Sequence, residues 1–139
     1  MKKLIVSLFL INGIISCSSD KALDVNKQNV SGVWKAADFR ADIPNMSPEY
    51  QEAGKAEFLS STYTLNNDNS MEMHSDFYSD GAVGHWVVDP STKELSMFYE
   101  YDTTKGVEKY FITQLSEHHM VLHQDIEMVN GYVELELKR

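Results

Sequence analysis

The residues able to do chemistry in this 139-residue sequence are few. It has no Gly-x-Ser-x-Gly, no His-Glu-x-x-His and no phosphate-cradling glycine loop. Those spacings would activate a serine, hold zinc or bind a nucleotide. The histidines are His74, His85, His118, His119 and His123. Only His119 and His123 are spaced to share a strand face, and no third ligand stands at a matching interval, so surface histidines are expected rather than a metal centre. The densest carboxylate constellation is Asp125, Glu127, Glu134 and Glu136. If these face one another across a hairpin they repel, and the ridge invites a cation or a basic protein, or is simply a solvated face beside a basic neighbour. No loop has a calcium-binding pattern. The formal charge of −9 argues against nucleic acid as partner, since such a binder needs a basic face to neutralise phosphate. Non-covalent binding is expected, with no enzyme activity and no cofactor.

The single cysteine, Cys17, rules out an intrachain disulfide and a cysteine zinc site. Lys2 and Lys3 precede an apolar run from Leu4 to Ile15, the pattern of a secretory signal peptide and too short for a membrane span. Ile14-Ile15-Ser16-Cys17 resembles the lipobox of bacterial lipoproteins. The resemblance implies removal of residues 1–16, acylation of Cys17 (palmitate among the acyl groups) and anchoring in a membrane leaflet. Ser18 follows where an Asp would favour the inner membrane, which points to the outer membrane of a bacterial cell envelope. Cleavage removes two lysines and no acid, so the mature chain is still more acidic. Residues 17–30 read as the lipidated Cys and a flexible polar tether, and 31–139 as the folded domain.

The elements that must position any site are strands. Apolar residues and turn signals alternate through 32–40, 58–66, 70–79, 82–89, 94–102, 107–116, 119–129 and 132–138, a spacing that predicts an all-β barrel or sandwich. Ser47-Pro48-Glu49 predicts one helix from 48 to about 58, with an N-cap, a first-turn proline and an acid near the helix start.

Turn chemistry assigns the faces. A two-residue Asn130-Gly131 turn pairs Met128 with Val133, Ile126 with Leu135 and Gln124 with Leu137. Met120, Leu122, Gln124, Ile126 and Met128 then point inward, with the four carboxylates outside. Asp80-Gly81 pairs Phe77 with Gly84, Ser75 with Trp86 and Met73 with Val88 inside, leaving His74 and His85 outside. A four-residue turn from Pro90 to Lys93 sets Val88 against Leu95 and Trp86 against Met97, with Tyr99 and Tyr101 inward. The strands on either side of 107–116 conflict by one residue. A bulge at Gly106 resolves this and predicts Lys109, Phe111, Thr113 and Leu115 inside. Phe98, Tyr110 and Ile112 then form an outer apolar patch.

Gly32-Val33-Trp34, followed by this meander, resembles the Gly-x-Trp opening of lipocalins. With Gly84-His85-Trp86 and Tyr110 to Leu115, residues 30–139 look like the compact lipocalin-like domains of Bacteroidetes-type lipoproteins. The resemblance implies an up-and-down antiparallel barrel of about eight strands, with one short helix between strands 1 and 2. Lipocalins also place an Arg late in the chain to close over the Trp; here Lys138 and Arg139 are the cations available.

Two readings of the interior follow. Met73, Ser75, Trp86, Met97, Tyr99, Tyr101, Lys109, Phe111, Leu122 and Gln124 could line a cavity for a small amphipathic ligand, with Lys109 meeting an anionic head and 41–58 as a lid. That requires an open interior above about 300 Å³. Otherwise a barrel this small is filled by its own side chains, with Lys109 reaching the rim. The alternative function is a protein-interaction or inhibitor module of the envelope, like the small acidic lysozyme inhibitors, using Asp125, Glu127, Glu134 and Glu136 or the patch of Phe98 and Tyr110.

Overall fold

A computed structural model describes residues 20–76, 81–101 and 104–139, without the side chains of Tyr101 and Thr104. The expected signal peptide, Cys17, Phe77 and Asp80 lie outside the described residues, as does the Tyr101 side chain. The described chain forms α1 (Lys27–Val30), β1 (Gly32–Asp42), α2 (Pro48–Leu59), β2 (Thr62–Leu65), β3 (Ser70–His74), β4 (Ala82–Asp89), β5 (Glu94–Tyr101), β6 (Thr104–Leu115), β7 (His119–Ile126) and β8 (Gly131–Lys138). The eight strands close in sequence order into one antiparallel barrel, β1 pairing with β8. Closure leaves no unpaired sheet edge. The expected helix is α2, capped by Ser47 Oγ and begun by Pro48.

One end of the barrel is sealed. The indole N–H of Trp34 donates to Val30 O at 2.8 Å, and both side chains are fully buried. The Arg139 guanidinium covers the Trp34 ring at 4.3 Å and donates to the carbonyls of Ser31, Asn29 and Glu117. Gly32 has φ +141°, a conformation that favours glycine, and a Cβ there would press on Arg139 Nη1 at 2.9 Å. The stretch expected as a tether is seated on this end from Asp20 onward. Ser116 Oγ donates to the Asp20 carboxylate at 3.0 Å, Ala22 bridges Ser116, and Leu23 N donates to Leu115 O at 2.8 Å. Contacts with the barrel are thus already made by residues well ahead of the first strand.

Strand registers follow the expected faces more often than the expected turns. β4 and β5 pair as anticipated, Trp86 with Met97 and Val88 with Leu95. In the β3–β4 hairpin, Met73 pairs with Ala82 and Met71 with Gly84, in place of Met73 with Val88 and Ser75 with Trp86. The reason is the Asn66–Asn69 turn, which holds Trp86 at both ends. Trp86 N donates to Asn69 O at 2.8 Å, Asn69 Nδ2 to Trp86 O at 2.8 Å, and Trp86 Nε1 to Asn66 O at 3.0 Å. Met73 and Trp86 are buried and His74 and His85 exposed, as expected. Ser75 follows the end of β3, half-buried.

Asn130-Gly131 is not a two-residue turn. Glu127–Val129 make a 3₁₀ turn that ends on Asn130 in the left-handed region, so Ile126 faces Gly131, Gln124 faces Val133 and Leu122 faces Leu135. Gly131 instead serves close packing, since a Cβ there would lie 2.5 Å from Asp42 O. The shift is even, so Met120, Leu122, Leu135 and Leu137 stay buried, while Met128 moves onto the turn and is 95% exposed.

The one face that reverses is that of β6. Tyr101 pairs with Thr104 and Tyr99 with Gly106, which puts Glu108, Tyr110 and Ile112 inside and Lys109 and Phe111 outside. The extra residue demanded by the strand parities exists, but it is Thr113, where the β6–β7 register shifts. Thr113 is exposed and Leu115 is inside. Gly106 is used for space: a Cβ there would lie 2.6 Å from the Tyr99 ring. A slip of one residue turns a whole strand segment over.

Arg139→Ala is expected to destabilise the fold by about 1–3 kcal/mol, through the lost cation–π contact and the orphaned carbonyls. Arg139→Lys should recover little of this, since an ammonium cannot span three carbonyls as the fork does. Urea unfolding of the three proteins measures both.

Candidate functional site

Strand alternation brings an unusual group together at the end of the barrel opposite Arg139. Tyr99 on β5, Glu108 and Tyr110 on β6, Tyr63 on β2 and Met73 on β3 point inward there, beneath α2. The Glu108 carboxylate accepts from Tyr99 Oη at 2.9 Å through Oε1 and from Tyr110 Oη at 3.3 Å through Oε2. Burial holds the Glu108 carboxyl above the usual carboxylate range, outweighing the opposite pull of the two hydroxyls. Burial and the nearby Glu108 charge push the Tyr110 phenol well above its ordinary value.

α2 roofs this end without plugging it. None of its side chains is fully buried. It is held by a Phe39–Phe58 stack with centroids 4.6 Å apart and by Lys55 Nζ at 3.0 Å from Asp38. The ion pair holds the Asp38 carboxyl below its ordinary range, first through the hydrogen bond from Lys55. Below α2 is a hollow of about 80 Å³, lined by Glu57, Phe58, Ser61, Tyr63, Met73, Ser75 and Glu108.

The rest of the interior is packed. Trp34, Trp86, Met71, Met97, Met120 and Leu122 are fully buried. The hollow thus falls short of the roughly 300 Å³ at which sites for drug-sized or lipid-sized ligands begin. Of the expected cavity residues, Met73, Trp86, Met97 and Leu122 are core, while Tyr99, Ser75 and Gln124 are half-buried. Lys109 and Phe111 do not line the interior, because the bulge lies at Thr113; Lys109 Nζ lies 3.4 Å from Glu94 outside the barrel. The residue that sequence reasoning missed is Glu108. Its neighbours Val107 and Lys109 gave no period, and only the Tyr101–Thr104 pairing decides which of them turns in.

The acidic ridge is dispersed by the shifted β7–β8 register. Glu134 lies 3.7 Å from His123 Nδ1 and 3.9 Å from Arg40, and Glu136 is 3.1 Å from His119 and 3.2 Å from Lys138. Asp125 is 3.1 Å from His123 Nε2, and Glu127 sits in the 3₁₀ turn. No two of the four carboxylates face each other across the strands. Among the described residues, no three His, Asp or Glu side chains group closely enough to hold a metal ion.

The outer apolar patch also differs from expectation. Tyr110 and Ile112 are inside, so the outer face of β4–β6 is built in rows: Val83, Glu100 and Lys105; then His85, Phe98 and Val107; then Val87, Ser96 and Lys109. His85 and Phe98 stack with centroids 4.6 Å apart, and Val83 and Val107 are 63% and 53% exposed. A groove of about 560 Å³ runs over the first two rows, and Lys105 pairs with Glu100 at 3.0 Å on its charged side.

The raised Glu108 pKa fixes the sign of a pH effect. The folded state binds this proton more tightly than the unfolded state, so stability falls as pH rises from the ordinary glutamate range through the higher folded value. Relative to Glu108→Gln, the wild type should lose stability over that window, and the variant should be at least as stable at pH 7. Denaturant titrations of both proteins across the window read the difference, and parallel curves would refute the burial penalty.

No protein-family model matches the chain, and no curated protein matches it either.

Proposed function

We propose that this protein is a lipocalin-like lipoprotein of the bacterial envelope, held to the membrane by acylated Cys17, which binds a small amphipathic ligand without covalent chemistry. The observation that carries the binding reading is the groove on β4–β6. Its volume of about 560 Å³ lies within the range of small-molecule sites. Its middle row is apolar and aromatic and its first row ends in the Lys105–Glu100 pair, so an apolar body and a polar end are each accommodated. The filled interior moves the ligand from the barrel axis to this outer face. The Arg139–Trp34 stack supports the lipocalin-like reading, since it supplies the late arginine that lipocalins use to cover the tryptophan.

A second reading, a protein-interaction or inhibitor module, is favoured by Val87 continuing the exposed apolar surface beyond the groove, with Phe111 at its far corner. The carboxylates of β7 and β8 do not favour it, because histidines and basic side chains already interleave them.

A fluorescent fatty-acid analogue should bind the protein with micromolar affinity and be weakened about tenfold or more by Val107→Glu or Phe98→Ala. Met128→Glu, on the exposed turn, should leave binding unchanged. Equal binding by all four proteins would overturn the groove as the site. Radiolabelled palmitate should enter the full chain in a bacterial host and not its Cys17→Ser variant; labelling of both would overturn the anchor.

A further inference from the structure

We infer that the hollow beneath α2 is a binding site for the ammonium group of a small organic amine, with Glu108 as its counter-ion. The site is separate from the outer groove: it lies on the inner side of β2, β3 and β6, and the groove on the outer side of β4–β6. Its lining joins two carboxylates, Glu108 from the barrel and Glu57 from α2, with Ser61, Ser75, Tyr63, Phe58 and Met73. No basic side chain is among them.

The chemistry of this lining selects a cation. A carboxylate has about four lone-pair positions, and the Tyr99 and Tyr110 hydroxyls fill one on each oxygen of Glu108. The remaining positions can accept from a donor that enters the hollow. The two phenols also fix the carboxylate in place before any ligand arrives, so little ordering cost remains at binding. A primary ammonium brings three N–H donors, enough for Glu108, Glu57 and one serine hydroxyl. The Tyr63 and Phe58 rings and the Met73 thioether suit the short alkyl stem behind it, and aromatic rings attract a cation further. An anion would meet two carboxylates without compensation. A neutral alcohol can give the half-buried Glu108 one hydrogen bond but brings no positive charge to balance it.

Size and the surrounding field agree with this choice. About 80 Å³ holds several waters and hence an ammonium with a short stem, and it excludes a bulky head. The loops and strand ends at this end of the barrel carry Asp42, Glu49, Glu52, Asp76, Glu100 and Glu127. The nearby described cations are Arg40, Lys55 and Lys105, and Lys55 and Lys105 are already engaged with Asp38 and Glu100. Such an excess concentrates cations at the mouth and speeds their capture. α2, whose Phe58 stacks on Phe39 and whose Lys55 pairs with Asp38, borders the hollow through Glu57 and Phe58.

Butylammonium, with butanoate and butanol as controls, tests the inference by titration calorimetry and by carboxyl ¹³C NMR on the whole protein. Butylammonium should bind in the micromolar to millimolar range and move the Glu108 carboxyl resonance, while butanoate and butanol do neither. Glu108→Gln should weaken butylammonium about tenfold or more without lowering the melting temperature, and Tyr99→Phe should weaken it less. Absence of butylammonium binding, equal binding of butanol, or full affinity in Glu108→Gln would each overturn the site. If Glu108→Gln does not fold, the NMR titration of the unaltered protein decides, and a Glu108 resonance that butylammonium leaves in place overturns the inference.

Discussion

The structure depends on a single closure at one end of the barrel. Trp34 can be fully buried only because its N–H finds Val30 O and its face finds Arg139. Arg139 in turn ties the residue after β8 to the Ser31 and Asn29 carbonyls, beside the start of β1. That knot holds β1 against β8, the one pairing that makes a meander into a barrel. Everything else about the molecule's inside and outside follows from closure, because a closed sheet gives each side chain one of only two directions.

That binary choice explains what could be read in advance. The barrel, the helix from Pro48 and the β4–β5 register were legible because each rests on short-range chemistry: turn spacing, a cap, and a four-residue connection. The hairpins at Asp80-Gly81 and Asn130-Gly131 were read with the wrong turns, yet Met73, Trp86, Leu122 and Leu135 still faced correctly. Even shifts preserve faces. β6 was different, since its odd residue had to be placed somewhere between Gly106 and the β6–β7 connection. Gly106 looked like the place for a bulge, whereas it is there to make room for the Tyr99 ring. The error exchanged Lys109 for Glu108 and so reversed the charge expected inside the barrel.

The interior that results is solid at one end and polar at the other. Two tryptophans, with Met71, Met97 and Met120, fill the sealed half, thioethers adapting to the gaps that rigid indoles leave. Towards α2 the walls become phenolic and Glu108 replaces the expected lysine. The outer face of β4–β6 carries the apolar surface that the packed interior does not offer to a ligand.

The closing knot also sets when this protein can fold. Trp34 waits for an arginine 105 positions later, and β1 waits for a strand that begins at Gly131. Hairpins such as β4–β5 are local, but the ring joins only when β1 meets β8, the pairing of the strands farthest apart in sequence. Closure is thus the non-local step of a fold whose hairpins are local.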